Sequence, residues 1–315
     1  TGRMVKSSAA IGAGRVYVGS NDGNLYAIDL KTGNQLWKFS TQDEIESSPC
    51  LLEDKVYVGS ADGFVYAVRT ADGKEAWKFK TEDTVLGGIN RIEIDGQYRI
   101  LAGSYDFKMY CLNAQTGNKI WEYESDDFIN GTPAIGQGNV LFGGCDALVH
   151  VVSVKDGKKI KQIDAGSYIA GSAVPYKGRA YLGHMDGEFL CIDLEQEKIV
   201  WRFPADNQIY STPAVDEKHV IFGCRDKRVY CLNRHTGIQI WKYQTQGEVD
   251  SSPVICGDKV IIPSMDGRLY LLRLTDGKEM WSYEIGDAIT ASPAIADGIV
   301  VIGAENGYVY AFGSE

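Results

Sequence analysis

An Asp or Asn followed by a turn residue recurs at Asp22, Asp62, Asp106, Asp146, Asp186, Asp226, Asp266 and Asn306, at spacings of 40, 44, 40, 40, 40, 40 and 40. Trp37, Trp77, Trp121, Trp201, Trp241 and Trp281 fall in the same register, and Lys161 stands where the fourth copy should have its tryptophan. Only tandem duplication produces such a register, so the chain reads as eight copies of one unit of about forty residues. Its one indel is four residues in copy three, around Arg91 to Arg99.

Each copy holds four strand-like runs, which in copy two are SSPCLL, KVYVGS, FVYAVR and EAWKFK. The second and third alternate apolar and polar residues, with β-branched and aromatic types, at strand length. Ala61-Asp62-Gly63 between them is a short hairpin whose glycine can take a positive φ. No helical period appears anywhere. Four antiparallel strands cannot bury both faces alone, and stacking such units radially in a closed ring covers both. An open solenoid would need polar capping repeats, and neither end has one. The expectation is an all-β, eight-bladed β-propeller of four-stranded antiparallel blades, one domain over residues 1–315.

Eight copies with the insertion need about 324 positions against the 315 present, a shortfall of about one strand. Copy eight runs out at Tyr310 to Glu315, before its TG-x-x-x-W strand, and Thr1 to Lys6 matches Thr41 to Glu46, after that strand. Blade eight is therefore expected to have three strands, the fourth being supplied by a longer parent from which the domain is excised.

Hydrophobic residues at 44% and charged residues at 23% make an ordinary globular composition. No apolar run approaches bilayer-spanning length, so direct membrane insertion is not expected. A formal charge of −10 with no basic stripe argues against a nucleic-acid partner. The seven cysteines include no C-x-x-C, and Cys111, Cys191 and Cys231 share one repeat position that elsewhere carries Ala, Val or Leu. They read as small buried hydrophobes rather than a disulfide framework. Free thiols lean toward the cytoplasm.

The run Ala27-Ile28-Asp29-Leu30-Lys31-Thr32-Gly33-Asn34-Gln35-Leu36-Trp37 exemplifies the pattern A-x-D-x-x-T-G-x-x-x-W. It resembles the tryptophan-docking repeat of the PQQ-like (quinoprotein-type) propellers, and neither Trp-Asp of the WD40 type nor the Gly-Gly pair of the kelch type recurs. That family includes quinone-dependent alcohol dehydrogenases and the outer-membrane assembly lipoprotein BamB, so the resemblance leans toward the bacterial envelope and leaves the compartment open. It implies that each Trp lies on the outer strand, packed between adjacent blades with its N–H paired to neighbouring backbone. Lys161 should then leave a weaker outer seam on blade four.

The dehydrogenases of the family hold PQQ over a Ca²⁺ in the central funnel and often stack a vicinal Cys pair on it. This chain has no such pair and none of their long inter-blade insertions, so no cofactor and no dehydrogenase activity are expected. The repeated Asp residues are those that tight hairpins prefer. His150, His184, His219 and His235 show no metal-ligand or acid–base spacing, and no metal site or catalytic residue is expected. Ser47, Ser211 and Ser251 open Ser-Ser-Pro or Ser-Thr-Pro triplets whose recurrence suits pinning of the innermost strand better than nucleophilic catalysis.

Internal comparison separates fold from function. Two residues before the triplet every copy has Val or Ile (Val5, Ile45, Val85, Ile129, Ile169, Ile209, Val249, Ile289), which is core. The next position differs in every blade: Lys6, Glu46, Leu86, Asn130, Ala170, Tyr210, Asp250 and Thr290. It opens the innermost strand and should ring the channel mouth, together with Tyr105, Lys108, Met185, Glu188, Arg225, Arg228, Arg268 and Tyr308 of the hairpins between second and third strands. Lys6, Glu46, Asn130, Tyr210, Asp250, Tyr105, Arg225 and Arg228 form the candidate binding face. The function this points to is a non-catalytic, monomeric scaffold or sensor domain that binds a protein or peptide. The alternatives are a small ligand or PQQ-like cofactor in the funnel, and a quinoprotein-like oxidoreductase.

Overall fold

A computed structural model describes residues 1–313; Ser314 and Glu315, which end copy eight, lie outside the described residues. Those described form strands and turns without a helix, and the architecture is the eight-bladed β-propeller. Every sheet is an antiparallel meander in chain order. Blade two, for example, runs Cys50–Leu52, Lys55–Gly59, Phe64–Arg69 and Glu75–Lys80. Among the described residues blade eight has three strands, Ala294–Ala296, Ile299–Gly303 and Val309–Gly313. The copy-three insertion lengthens one hairpin, Asn90–Ile94 with Gln97–Gly103.

The chain resolves into two compact units. One comprises Thr1–Pro133, Lys155–Gly157 and the residues from Pro293 onward, and holds blades one, two, three and eight. Its innermost strands run side by side, blade one between blades eight and two, and blade two against blade three. The other comprises Ala134–Val154 and Lys158–Ser292 and holds blades four to seven in the same succession.

The innermost strands start only after the triplet, both where its third residue is Pro (Cys50–Leu52 after Pro49) and where it is Ala (Ala10–Gly12 after Ala9). The first serine of the triplet instead bonds to the backbone of the second strand. Ser7 Oγ donates to the Gly19 carbonyl at 3.0 Å and accepts the Gly19 N–H at 2.8 Å. Ser211 does the same with Gly223, at 2.9 and 2.8 Å. The second hydroxyl of the triplet ties blade to blade: the N–H of Ser172 donates to Thr212 Oγ1, that of Thr212 to Ser252 Oγ and that of Ser252 to Ser292 Oγ, each at 3.0 Å. These roles bear out the pinning expected of the triplets.

All eight recurring Val and Ile residues ahead of the triplet are fully buried. Seven of the eight have a glycine beneath them, Pro263 taking that place in blade seven: a Cβ on Gly19 would stand 2.2 Å from Ile45 Cγ2, and one on Gly223 would stand 2.3 Å from Val249 Cγ1.

The outer seams are built from tryptophan on glycine. Each Trp faces Ala, Cys or Leu on the third strand, beside a β-bulge, as in Ala27↔Trp37, Cys111↔Trp121 and Leu271↔Trp281. In five of the six the ring covers the turn glycine of the next copy, so closely that a Cβ on Gly73, Gly117, Gly157, Gly237 or Gly277 would come within 2.6 to 2.7 Å of an indole carbon. The indole N–H donates to the backbone beside that turn, Trp37 to Thr70 O (2.9 Å), Trp77 to Ala114 O (2.9 Å) and Trp241 to Leu274 O (2.8 Å).

Lys161 departs from the pattern without losing the bond. Its Nζ donates to Leu194 O at 2.6 Å and to Glu195 O at 3.1 Å, the place of the indole N–H. With no indole to cover, the turn position that is elsewhere Gly can bear a side chain. Glu197 occupies it at φ 54° and its carboxylate lies 3.3 Å from Lys161 Nζ. The seam that the sequence marks as weaker is thus rebuilt as a polar one, beside a groove of about 380 Å³.

Candidate binding face

In the first unit, Tyr105 and Phe107 flank the hairpin aspartate Asp106 of blade three, and Phe128 precedes the buried Ile129 that leads into the next innermost strand. The Tyr105 and Phe128 rings stack at 4.8 Å, and Phe107 meets Phe128 edge-on at 5.2 Å. Phe107 and Phe128 each remain 37% exposed. Phe107 holds φ 70° where blades one, two, five and seven have Gly23, Gly63, Gly187 and Gly267 at φ 76° to 79°, and where Ala147 of blade four and Lys227 of blade six take the same conformation at φ 65° and 67°. A bulky residue in this conformation costs about 1 kcal/mol or more, so the ring is held out at the expense of stability.

Other first-unit positions are paired internally. Lys6 Nζ donates to Glu46 Oε1 at 2.7 Å, and Asn21 Nδ2 donates to Glu44 and Glu46 at 2.8 and 2.9 Å. The Glu46 contact raises the Lys6 pKa against the opposing effect of burial. Asn130 is half-buried, with its backbone carbonyl 2.8 Å from where a Cβ on Gly87 would sit.

In the second unit, Arg225 forms a fork on Asp250, Nε to Oδ1 at 2.9 Å and Nη2 to Oδ2 at 2.7 Å, and lies 3.7 Å over the Tyr210 ring. Glu248 stands 3.5 Å away. The Asp250 hydrogen bond raises the Arg225 pKa further. Tyr210, Arg225 and Asp250 are therefore brought together as one clamped group joining blades six and seven. Arg228 is not part of it; it pairs with Asp206 at 2.5 Å and with Gln244 at 3.2 Å.

The residues that vary between blades thus fall into two kinds. Lys6 with Glu46, and Arg225 with Asp250, vary as complementary charges across a seam. The aromatics of blade three vary without such an internal pairing of charge. Phe128 and the 57% exposed Tyr168 were missed from sequence. Their position was legible, since the residue before each recurring Val or Ile also varies widely, with only Glu appearing twice: Met4, Glu44, Thr84, Phe128, Tyr168, Gln208, Glu248 and Ala288.

The hairpin aspartates are occupied except in blade five, where Asp186 has Leu190 four residues on. Oδ2 accepts the hydroxyl of a tyrosine four residues on, Asp22 from Tyr26, Asp62 from Tyr66 and Asp106 from Tyr110, each at 2.7 Å, and in blade four His150 stands in for the tyrosine. The same oxygen accepts a loop N–H of the preceding copy, as from Gln42 to Asp62 at 2.9 Å. Burial pushes the thiols of Cys111 and Cys231 up to about 12, away from the reactive thiolate. A quinone–calcium centre does not fit these residues. Glu46 and Asp250 are already neutralised by Lys6 and Arg225, and among the described residues no three His, Cys, Asp or Glu side chains are grouped to hold a metal ion. No described helix is long and apolar enough to cross a membrane.

The family model described as outer membrane protein assembly factor BamB matches residues 2–168 and 145–315. Among solved structures, the computationally designed Ika8 protein superposes with a TM-score of 0.88 at 17% identity, covering 100% of this chain and 97% of its own. BamB from Moraxella catarrhalis superposes with a TM-score of 0.81 at 16% identity, covering 98% of this chain and 97% of its own. At these identities the structural likeness bears on fold. No curated protein matches.

Proposed function

The chain belongs to the PQQ-like β-propeller family whose model is described as outer membrane protein assembly factor BamB, and from that premise we propose that it is a non-catalytic module binding a protein or peptide partner. The observation that carries this reading is the stacked Tyr105–Phe128–Phe107 cluster at the hairpin end of blade three, with Phe107 and Phe128 exposed and Tyr105 half-buried. Rigid aromatics give large contact area at small entropic cost and dominate binding energy at interfaces. The engagement of Ser7 and Ser211 and of hairpin aspartates such as Asp22, Asp62 and Asp106 in internal hydrogen bonds, with the burial of Cys111 and Cys231, supports a module without catalysis.

Capture from the source organism by wild-type protein and by the Tyr105→Ala/Phe128→Ala variant tests it. A partner retained by wild type and lost by an equally stable variant is the expected result. Identical captured sets would overturn the reading.

A further inference from the structure

A row of three residues crosses each of the first seven blades at the level of the tryptophan. In blade two it is Tyr57, Ala67 and Trp77, and in blade five Tyr181, Cys191 and Trp201. The two rings of the row lie 5.7 Å apart in blade two and 6.1 Å apart in blade five. Blades one, three, six and seven keep at least the tryptophan. In blade four the row is Leu141, Val151 and Lys161, without a ring.

A second filler is missing from the same seam. At the head of the second strand Arg15 donates from Nη1 to Thr70 O at 2.5 Å and Arg99 to Lys155 O at 2.9 Å, each bridging to a turn of the next blade. Asn139 holds that place in blade four, with a far shorter side chain. Where the two exchanges meet lies the groove of about 380 Å³, floored by the buried Leu141 and Val151 and lined also by Asn139, Lys161, Gly178 and Leu194. Its size and its apolar floor with a few polar groups are those of a small-molecule site.

The charges around the groove are already engaged. Lys161 Nζ is held by Leu194 O, Glu195 O and the Glu197 carboxylate, and Lys177 Nζ donates to both carboxylate oxygens of Glu217 at 2.5 and 2.7 Å. Asp193 Oδ1 accepts the N–H groups of Glu195 and Gln196 at 3.0 and 2.8 Å. Arg179 lies opposite Tyr176, whose ring meets Arg234 at 4.8 Å, so its side chain belongs to the face turned to blade six.

We propose that this groove binds a small neutral aromatic molecule of the size of a phenol or an indole. The ring enters the space that an indole fills in the other blades, against Leu141 and Val151, with a face toward the Lys161 ammonium in a cation–π contact. An aliphatic ligand of the same size lacks that contact. The site shares no residue with the Tyr105 cluster and stands or falls independently of it.

Indole is the probe, titrated into the chain by calorimetry or followed by ligand-observed NMR. Saturable one-to-one binding is expected, with a dissociation constant on the order of 1 mM. Lys161→Trp/Glu197→Gly puts the chain's own indole into the groove and should weaken binding more than tenfold. Leu141→Tyr, which restores the ring of blades one, two and five, is the second block should the double variant fail to fold. Phenol should bind severalfold more tightly than cyclohexanol. No saturation up to the solubility limit of indole, equal binding by the refilled variant, or cyclohexanol binding as tightly as phenol would overturn the proposal. So would tighter binding of indole-2-carboxylate or of tryptamine, either of which would make this an ionic site.

Discussion

Lys161 Nζ reaches the Leu194 carbonyl at 2.6 Å, replacing an indole N–H, while Glu197 stands 3.3 Å away where the neighbouring blades have glycine. The two departures explain each other. Without the indole a Cβ is tolerated at position 197, and the Cβ carries a carboxylate that balances the ammonium.

Lys161→Trp alone should therefore destabilise by about 1–3 kcal/mol, because the indole meets the Glu197 Cβ. Glu197→Gly alone should be near neutral, since relief of a positive φ offsets a lost, half-exposed ion pair. The double variant should be at least as stable as wild type. Denaturant unfolding of all four proteins gives the coupling, expected at about 2 kcal/mol; additive effects would show that the two positions are independent.

Ser211 satisfies both the N–H and the carbonyl of Gly223 inside the core. Ser211→Ala leaves both unpaired and should cost about 1–3 kcal/mol. Chemical denaturation measures it, and a loss well under that range would mean that the backbone finds other partners.

Phe107→Gly should raise stability by about 1 kcal/mol by removing a side chain from φ 70°. It should weaken partner binding at the same time. A variant gaining stability without losing binding would make the strain incidental.

His184 fills the place of Ser60: its Nδ1 accepts the Asp186 N–H at 3.2 Å, as Ser60 Oγ accepts that of Asp62. Burial lowers its pKa from 6.5, opposed by Glu188 and Asp186. The unfolded chain then takes up a proton near 6.5 that the folded chain refuses until lower pH. The stability tied to neutral His184 is thus complete above that value and lost as pH falls through it toward the folded pKa, by at most about 1.4 kcal/mol per pH unit. The stability difference between wild type and His184→Ser should shift against wild type on acidification, as urea titrations at several pH values would reveal. A pH-independent difference would contradict this.

The architecture was legible because a forty-residue register with Val or Ile, Asp-Gly and Trp at fixed places admits few folds. The three-stranded blade eight followed from counting positions. The clamp of Arg225 on Asp250 was half legible: both residues were singled out, but pairing across a seam is a geometric fact that variation along one position hides. Phe128 occupies a position that varies between copies nearly as much as its neighbour does, but the stacking of its ring on Tyr105 depends on loop geometry that residue order does not carry. The exchange of Trp and Gly for Lys161 and Glu197 needed the stacking distance between indole and turn before the two departures could be seen as one.

The central functional claim rests on Phe128 and its neighbours at the hairpin end of blade three. A photoactivatable phenylalanine at position 128, compared with one at the exposed Asn118 in the turn at the other end of that blade, tests it most directly. Discrete cross-linked species from position 128, absent from 118 and suppressed by Tyr105→Ala, are predicted. Equal labelling from both positions, or none from 128, would contradict the account.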